Sequence, residues 1–340
     1  MSRRPHRRRR RPAALVAVLA LLALVAAACG DDRTASNDAA PTTSAARRAT
    51  PDDEPVAVRI GYVPATATLP LQVAEAKGLF ERNDLDVTLT EVPDSSKAAA
   101  GLGSQFDIVL STAADLIRDS QAGLDLVEVA GNTISTEDNP YAQIVTRADT
   151  GITEIDQLEG RTIGTSAATG VVHAATLYWA MEEGAEPESI KAVEASAPDL
   201  PVQLQAKQVD AVQALEPLAT QLVGAGQVSI GEPFSAIAKS VSTNFWVAQR
   251  AWAEENRDAV TRFVDSLEQA QNFIDQSPDE ARQMLQGYAG LAPDVAATVP
   301  LPTFDFSVKA ADLAAWAKVL REVEQLEGEV DTAKLVLAAP

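Results

Sequence analysis

Thr165-Ser166-Ala167-Ala168-Thr169-Gly170 packs three hydroxyls and a glycine into one short run, and His173 follows close behind. Hydroxyls and free backbone N–H groups at the start of a helix suit one chemistry above others. They hydrogen-bond an oxyanion or a carbonyl, helped by the partial positive charge of the helix N-terminus. Gly170 leaves the backbone open to close approach. Comparable short runs stand at Tyr62-Val63-Pro64-Ala65-Thr66, Ser111-Thr112-Ala113, Gly131-Asn132-Thr133 and Glu216-Pro217. None of them contains Lys or Arg, the usual counter-charges of a small, fully charged anion. An anion would therefore rest on N–H groups, hydroxyls and His173, whereas Tyr62, Tyr141, Phe245 and Trp246 offer faces to a flat organic ligand. Each hydroxyl can equally serve as a plain helix cap, and each aromatic as core. The candidate ligand-binding set is Tyr62, Thr66, Ser111, Thr112, Ala113, Asn132, Thr165, Ser166, Thr169, Gly170, Val171, His173, Glu216 and Asn244. With Cys29 the single cysteine, an internal disulfide is impossible, and Cys–His catalysis or a cysteine metal site is not expected. No catalytic residue, metal or cofactor is assigned.

These loops need elements to hold them, and the elements come in duplicate. "IGYVPATAT" from Ile60 and "IGTSAATGV" from Ile163 lie 103 residues apart, as do "QFDIV" from Gln105 and "QVDAV" from Gln208. "LDVTLTEV" from Leu85 aligns at the same offset with "ESIKAVEA" from Glu188. Each copy reads as a strand, a hydroxyl-rich loop, an amphipathic helix, a second strand, a short helix (Ser95–Leu102; Leu200–Ala206) and a third strand opened by Asp107 or Asp210. Pro70 suits an early helical position and Gly78 a helix terminator. Strands alternating with helices predict parallel sheets. The fold class is therefore α/β: two Rossmann-like lobes of the same topology, with a cleft between them. Beyond Gln249 the pattern turns helical. Val260, Phe263, Val264, Leu267, Ala270 and Ile274 keep a 3.6-residue period, as do Leu313, Trp316, Leu320 and Val323. Ser277-Pro278-Asp279-Glu280 reads as a capping box.

The N-terminus has a different character. MSRRPHRRRRRP carries seven arginines and no acid, and an apolar run from Ala13 to Ala28 leads to Cys29. Basic, apolar, then small is the layout of a secretory signal peptide over residues 1–28, with the Sec and twin-arginine routes both open. Residues 29–55 hold almost nothing large and apolar, which predicts a disordered tether. Removing residues 1–28 moves the formal net charge from −20 to −27, so the body repels nucleic acid and anionic lipid headgroups.

The small residues before Cys29 resemble the bacterial lipoprotein box, although Ala26 stands where that pattern usually has leucine. "AEAKGLFERNDLDVTLTEV" (Ala74–Val92), "GSQFDIVLSTAADL" (Gly103–Leu116), "IDQLEGRTIGTSAATGVV" (Ile155–Val172) and "KQVDAVQALEP" (Lys207–Pro217) resemble, in order, the nitrate/sulfonate/taurine class of solute-binding proteins of ABC importers. That class includes relatives that bind a thiamine-pyrimidine precursor. Asp84 departs from the family's usual glycine. The resemblance implies the type II periplasmic-binding architecture, with crossovers near 142–147 and 241–248, lobe one at 56–145 plus 249–340 and lobe two at 146–240. It further implies a monomer that captures a small-molecule ligand, closes by hinge motion and meets an ABC permease with its ATPase. A lipid on Cys29 would hold it to the outer face of the cytoplasmic membrane. Two other readings fit the same fold: an enzyme acting on a pyrimidine-like substrate, and a ligand-sensing surface ectodomain.

Overall fold

The computed structural model describes residues 54–92 and 98–338. Cys29, the leader, most of the tether and the start of the short helix expected at Ser95 lie outside them.

Among the described residues, eleven strands form two sheets. β1 (Val56–Tyr62), β2 (Leu85–Glu91), β3 (Ile108–Thr112), β4 (Leu126–Thr136), β10 (Ser240–Gln249) and β11 (Thr303–Phe304) make the first, in the order β11-β4-β10-β3-β1-β2. β5 (Ala142–Thr146), β6 (Thr162–Thr165), β7 (Lys191–Glu194), β8 (Ala211–Leu215) and β9 (Val228–Gly231) make the second, in the order β7-β6-β8-β5-β9. In each sheet the central pairs are parallel, β1 with β2 and β3, and β6 with β7 and β8. β10 and β5 then run antiparallel to β3 and β8.

The 103-residue offset is a geometric repeat as well as a sequence one. Ile60 pairs with Leu89 and Ile108, while Ile163 pairs with Ala192 and Ala211. Asp107 accepts the Arg59 backbone N–H at 2.9 Å, and Asp210 accepts that of Thr162 at 2.9 Å. Each aspartate also donates its own N–H back to the carbonyl of the same residue, at 2.8 and 2.7 Å. The repeated aspartates thus fix the register of the first parallel strand pair in each lobe, where the ladder begins and backbone donors lack partners.

The chain passes from the first sheet to the second between Thr136 and Ala142, and returns between Gly231 and Ser240. The segments expected as crossovers, 142–147 and 241–248, are essentially β5 and β10, each lying wholly in the sheet it has just entered. The linking backbone is the stretch before each, residues 137–141 and 232–239.

Local signals explain much of the helical frame. Pro70 sits in the first turn of Leu69–Ala76, and Gly78 takes φ +60° after it. Asp84, in the glycine position of the resembled family, takes φ +55°, a conformation aspartate tolerates better than most side chains. In the helix Arg257–Gln276, Val260, Phe263, Leu267, Ala270 and Ile274 are buried against the first sheet's core. Ser277 precedes Pro278 as expected but makes no side-chain cap. It also ends the preceding helix, its N–H going to Phe273, while Glu280 is drawn to Lys77 at 2.6 Å. The helix Ala310–Glu322 buries Leu313, Trp316 and Leu320 and packs on both Ala113–Gln121 of one lobe and Val171–Glu182 of the other. No helix among the described residues is long and apolar enough to cross a membrane.

Candidate functional site

The C-terminal ends of the parallel strands in each sheet carry four of the expected loops, the usual place for a ligand in such sheets, whereas Gly131-Asn132-Thr133 lies inside β4, which pairs antiparallel with β10 and β11. On the first lobe, β4 and β10 lie side by side and build a buried polar network. Asn132 donates to the Asn244 side-chain oxygen at 2.9 Å and to the Ala67 carbonyl at 3.0 Å. Thr133 donates to the same Asn244 oxygen at 2.6 Å, and Asn244 donates to the Tyr141 hydroxyl at 3.1 Å. Tyr141 stands in the first passage between sheets, and burial pushes its hydroxyl up to about 12. Asn132 is 1% exposed, and its side-chain oxygen has no protein partner. Tyr62 donates to Glu91 at 3.3 Å at the ends of β1 and β2, and Thr66 is buried in the turn beyond.

Other candidates are absorbed locally. Thr112 caps the helix Ala113–Gln121, accepting the Asp115 N–H at 3.2 Å and donating to the Asp115 carboxylate at 2.8 Å. Ala113 is buried, as is Ser111, whose hydroxyl has no partner. Phe245 and Trp246 are completely buried, with Trp246 edge-on to Phe263 at 5.4 Å, so both serve the core rather than a ligand.

On the second lobe, Thr165 turns inward and accepts the Ala167 N–H at 3.2 Å. Ser166 and Thr169 are exposed. Gly170 precedes the helix Val171–Glu182, and a Cβ there would come within 3.1 Å of the Ala167 side chain, a tight approach that the turn would have to relieve by a few tenths of an ångström. Val171 is buried. His173 is 4% exposed rather than solvent-facing. Its Nδ1 lies 3.0 Å from the Gln213 amide nitrogen of β8, and the same amide donates to Thr176 at 2.8 Å. Burial depresses the His173 pKa to about 4, outweighing the amide contact, so the imidazole is neutral at physiological pH. Glu216 follows β8 and accepts the Thr220 N–H at 3.3 Å.

Two places bring the lobes together. One is a narrow crevice walled by Thr66 and Ile134 on the first lobe, Glu216 on the second, and Asn139 and Tyr141 between them. The other is a contact made by Arg118, whose guanidinium donates to the Thr169 carbonyl while paired to Asp115 at 3.4 Å. Gln325 donates to the neighbouring Ala168 carbonyl at 3.2 Å, and Lys318 to the Tyr178 hydroxyl at 3.3 Å. Arg118 escapes a reading confined to loops because it stands in the second turn of its helix. The i, i+3 spacing of Thr112, Asp115 and Arg118 is the signal that would have found it. Glu194 is a second such residue. It ends β7 and accepts the Ala168 N–H at 2.8 Å.

Among the described residues, no group of three or more His, Cys, Asp or Glu side chains is placed to hold a metal ion.

The "NMT1/THI5 like" family model matches residues 65–281. In structure the chain is similar to the periplasmic aliphatic sulphonate binding protein SsuA from Escherichia coli, with TM-score 0.72 and 20% identity over 83% of this chain and 97% of that one. SsuA from Xanthomonas axonopodis pv. citri, bound to MOPS, gives 0.69 and 21% over 84% and 100%. The periplasmic nitrate-binding protein NrtA from Synechocystis PCC 6803 gives 0.68 and 13% over 82% and 84%. Among curated proteins no sequence matches significantly. At these identities the structural likeness speaks for the fold, which is the type II periplasmic-binding architecture. The family model spans well over half of the sequence, and on that ground the chain belongs to the NMT1/THI5-like family.

Proposed function

We propose that the protein is an exported solute-binding protein that traps a small molecule between its two lobes and delivers it to an ABC-type permease and ATPase. The observation that carries this reading is the crevice. Residues from the strand ends of both sheets face one another across it, with the first of the chain's two passages between lobes beside it. That arrangement makes a small solute a bridge between two bodies, so binding favours the closed state by the contacts that only closure completes. The structural relatives named for binding sulphonate and nitrate support a transport role. Cys29, after its basic and apolar leader, supports a lipid anchor on the outer face of the cytoplasmic membrane and a monomer acting there.

Native mass spectrometry of the intact chain after exposure to a cell extract tests capture. A retained, chemically unchanged small molecule is expected, and a product in its place would favour an enzyme. Small-angle scattering with that compound should show a smaller radius of gyration. An unchanged radius would remove the closure mechanism. A metabolic lipid label should attach to the wild type and not to Cys29→Ser.

A further inference from the structure

We propose that the groove between the ends of the helices Val171–Glu182 and Ala310–Glu322 docks a basic amphipathic segment of a partner protein, a stretch with an apolar side chain flanked by lysines or arginines. The groove holds about 520 Å³ and shares no lining residue with the interlobe crevice. Its floor is apolar: Leu177 and Met181 come from the first helix, Ile190 follows the next turn, and Val323 follows the second helix. Its rim is acidic. Glu186, Glu188, Glu322 and Glu324 all line it, all four are exposed, and no Lys or Arg is among the lining residues. Glu322 has Lys318 at 3.7 Å. The side chains of Glu186, Glu188 and Glu324 have no hydrogen-bond or ion-pair partner among the described residues.

The backbone adds to the negative potential. Both helices end at the groove, the first running into Glu182-Glu183 with no basic residue in its last turn and the second into Glu322. That end of a helix carries the partial negative charge, where lysine and arginine are the favourable neighbours. Glu324 takes φ +57° just past the second helix, in a place glycine usually fills. The Gln325 N–H returns to the Leu320 carbonyl at 2.7 Å and closes that cap. A glutamate at this point is disfavoured by both its backbone and the dipole, and nothing within the described fold offsets it. A cation supplied from outside does. The acids are not gathered for a metal ion. Spread over two elements with an apolar floor between them, they match a chain that offers several cations and an apolar anchor together. Met181 gives that floor an adaptable surface.

The test is fluorescence anisotropy of the intact chain with a short labelled amphipathic lysine–leucine peptide, at low and at physiological salt. Binding that weakens with salt is expected. The triple variant Glu186→Gln/Glu188→Gln/Glu324→Gln should weaken it about tenfold. The control Glu255→Gln/Asp265→Asn/Glu268→Gln removes the same charge from exposed sites elsewhere and should change it less than twofold. Glu324→Gly should raise the thermal midpoint while lowering peptide affinity, which separates docking from damage to the fold. Equal loss in the two triple variants overturns the groove as the site. Equal affinity for a lysine–serine peptide or for spermidine overturns the amphipathic partner, because charge alone would then suffice. No binding at low salt overturns the inference outright, and every one of these results leaves solute capture standing.

Discussion

Glu128 lies near the start of β4, 2% exposed, and one of its carboxylate oxygens has no partner. It faces Asp312 and the backbone N–H of Lys309 at the start of the helix Ala310–Glu322, while Leu337 donates to its carbonyl at 2.9 Å. Burial, with Asp312 adding to it, pushes the Glu128 carboxyl from 4.5 to about 8. Below pH 4.5 the group is protonated in folded and unfolded chains alike. As the pH rises, the unfolded chain releases this proton first, so unfolding gains until the folded chain also releases it above about 8. Each unit of displacement is worth about 1.4 kcal/mol, which sets the loss of stability across that window at roughly 3–5 kcal/mol. Glu128→Gln mimics the protonated side chain at every pH. Urea unfolding should therefore find the variant close to wild type at pH 4.5 and more stable by roughly 3–5 kcal/mol at pH 9. A difference that stays flat across this range would refute the reasoning, because the carboxyl would then not be held protonated by its burial.

Gly131 pairs with the segment at Phe306, and a Cβ there would come within 2.2 Å of the Asp305 carbonyl, which is backbone and cannot swing aside. Gly131→Ala should cost about 2–4 kcal/mol in thermal or urea unfolding and raise hydrogen exchange around 303–307. Asp107→Ala and Asp210→Ala should each cost about 1–3 kcal/mol, with faster exchange confined to β1 and β6 respectively. Exchange rising in both lobes for either variant would dissolve the idea of two independent register locks. Arg118→Ala removes a partly exposed contact between lobes. It should weaken ligand affinity about fivefold, equivalent to about 1 kcal/mol, and enlarge the radius of gyration of the free protein.

The repeated βαβ frame was legible because its causes are local or periodic. Strand alternation, Pro70, Gly78 and the spaced aspartates all announce themselves along the chain. The rim was legible only as a set of loops, since what each side chain does there depends on partners far away in sequence. Thr112 and Thr165 are spent on their own loops, whereas Glu194 and Arg118, outside any loop motif, reach across elements to Ala168 and Thr169. His173 is legible as polar but not as buried, because Gln213, which satisfies it, comes from β8. The passages between sheets lie a few residues before the expected segments for a related reason. β5 and β10 have the apolar composition of any inner strand, and nothing in one strand says which sheet it will join.

Among the described residues, the strands that flank β4 are β10 and β11, both made more than a hundred residues later. A nascent chain that has produced β1 to β4 therefore lacks the strand that must slot between β3 and β4. The first half cannot finish its sheet until Ser240–Gln249 arrives, so completion waits for most of the polypeptide. A nascent chain in this state stays slack for longer, which exposes the uncovered edge of β3 to wrong partners in the meantime.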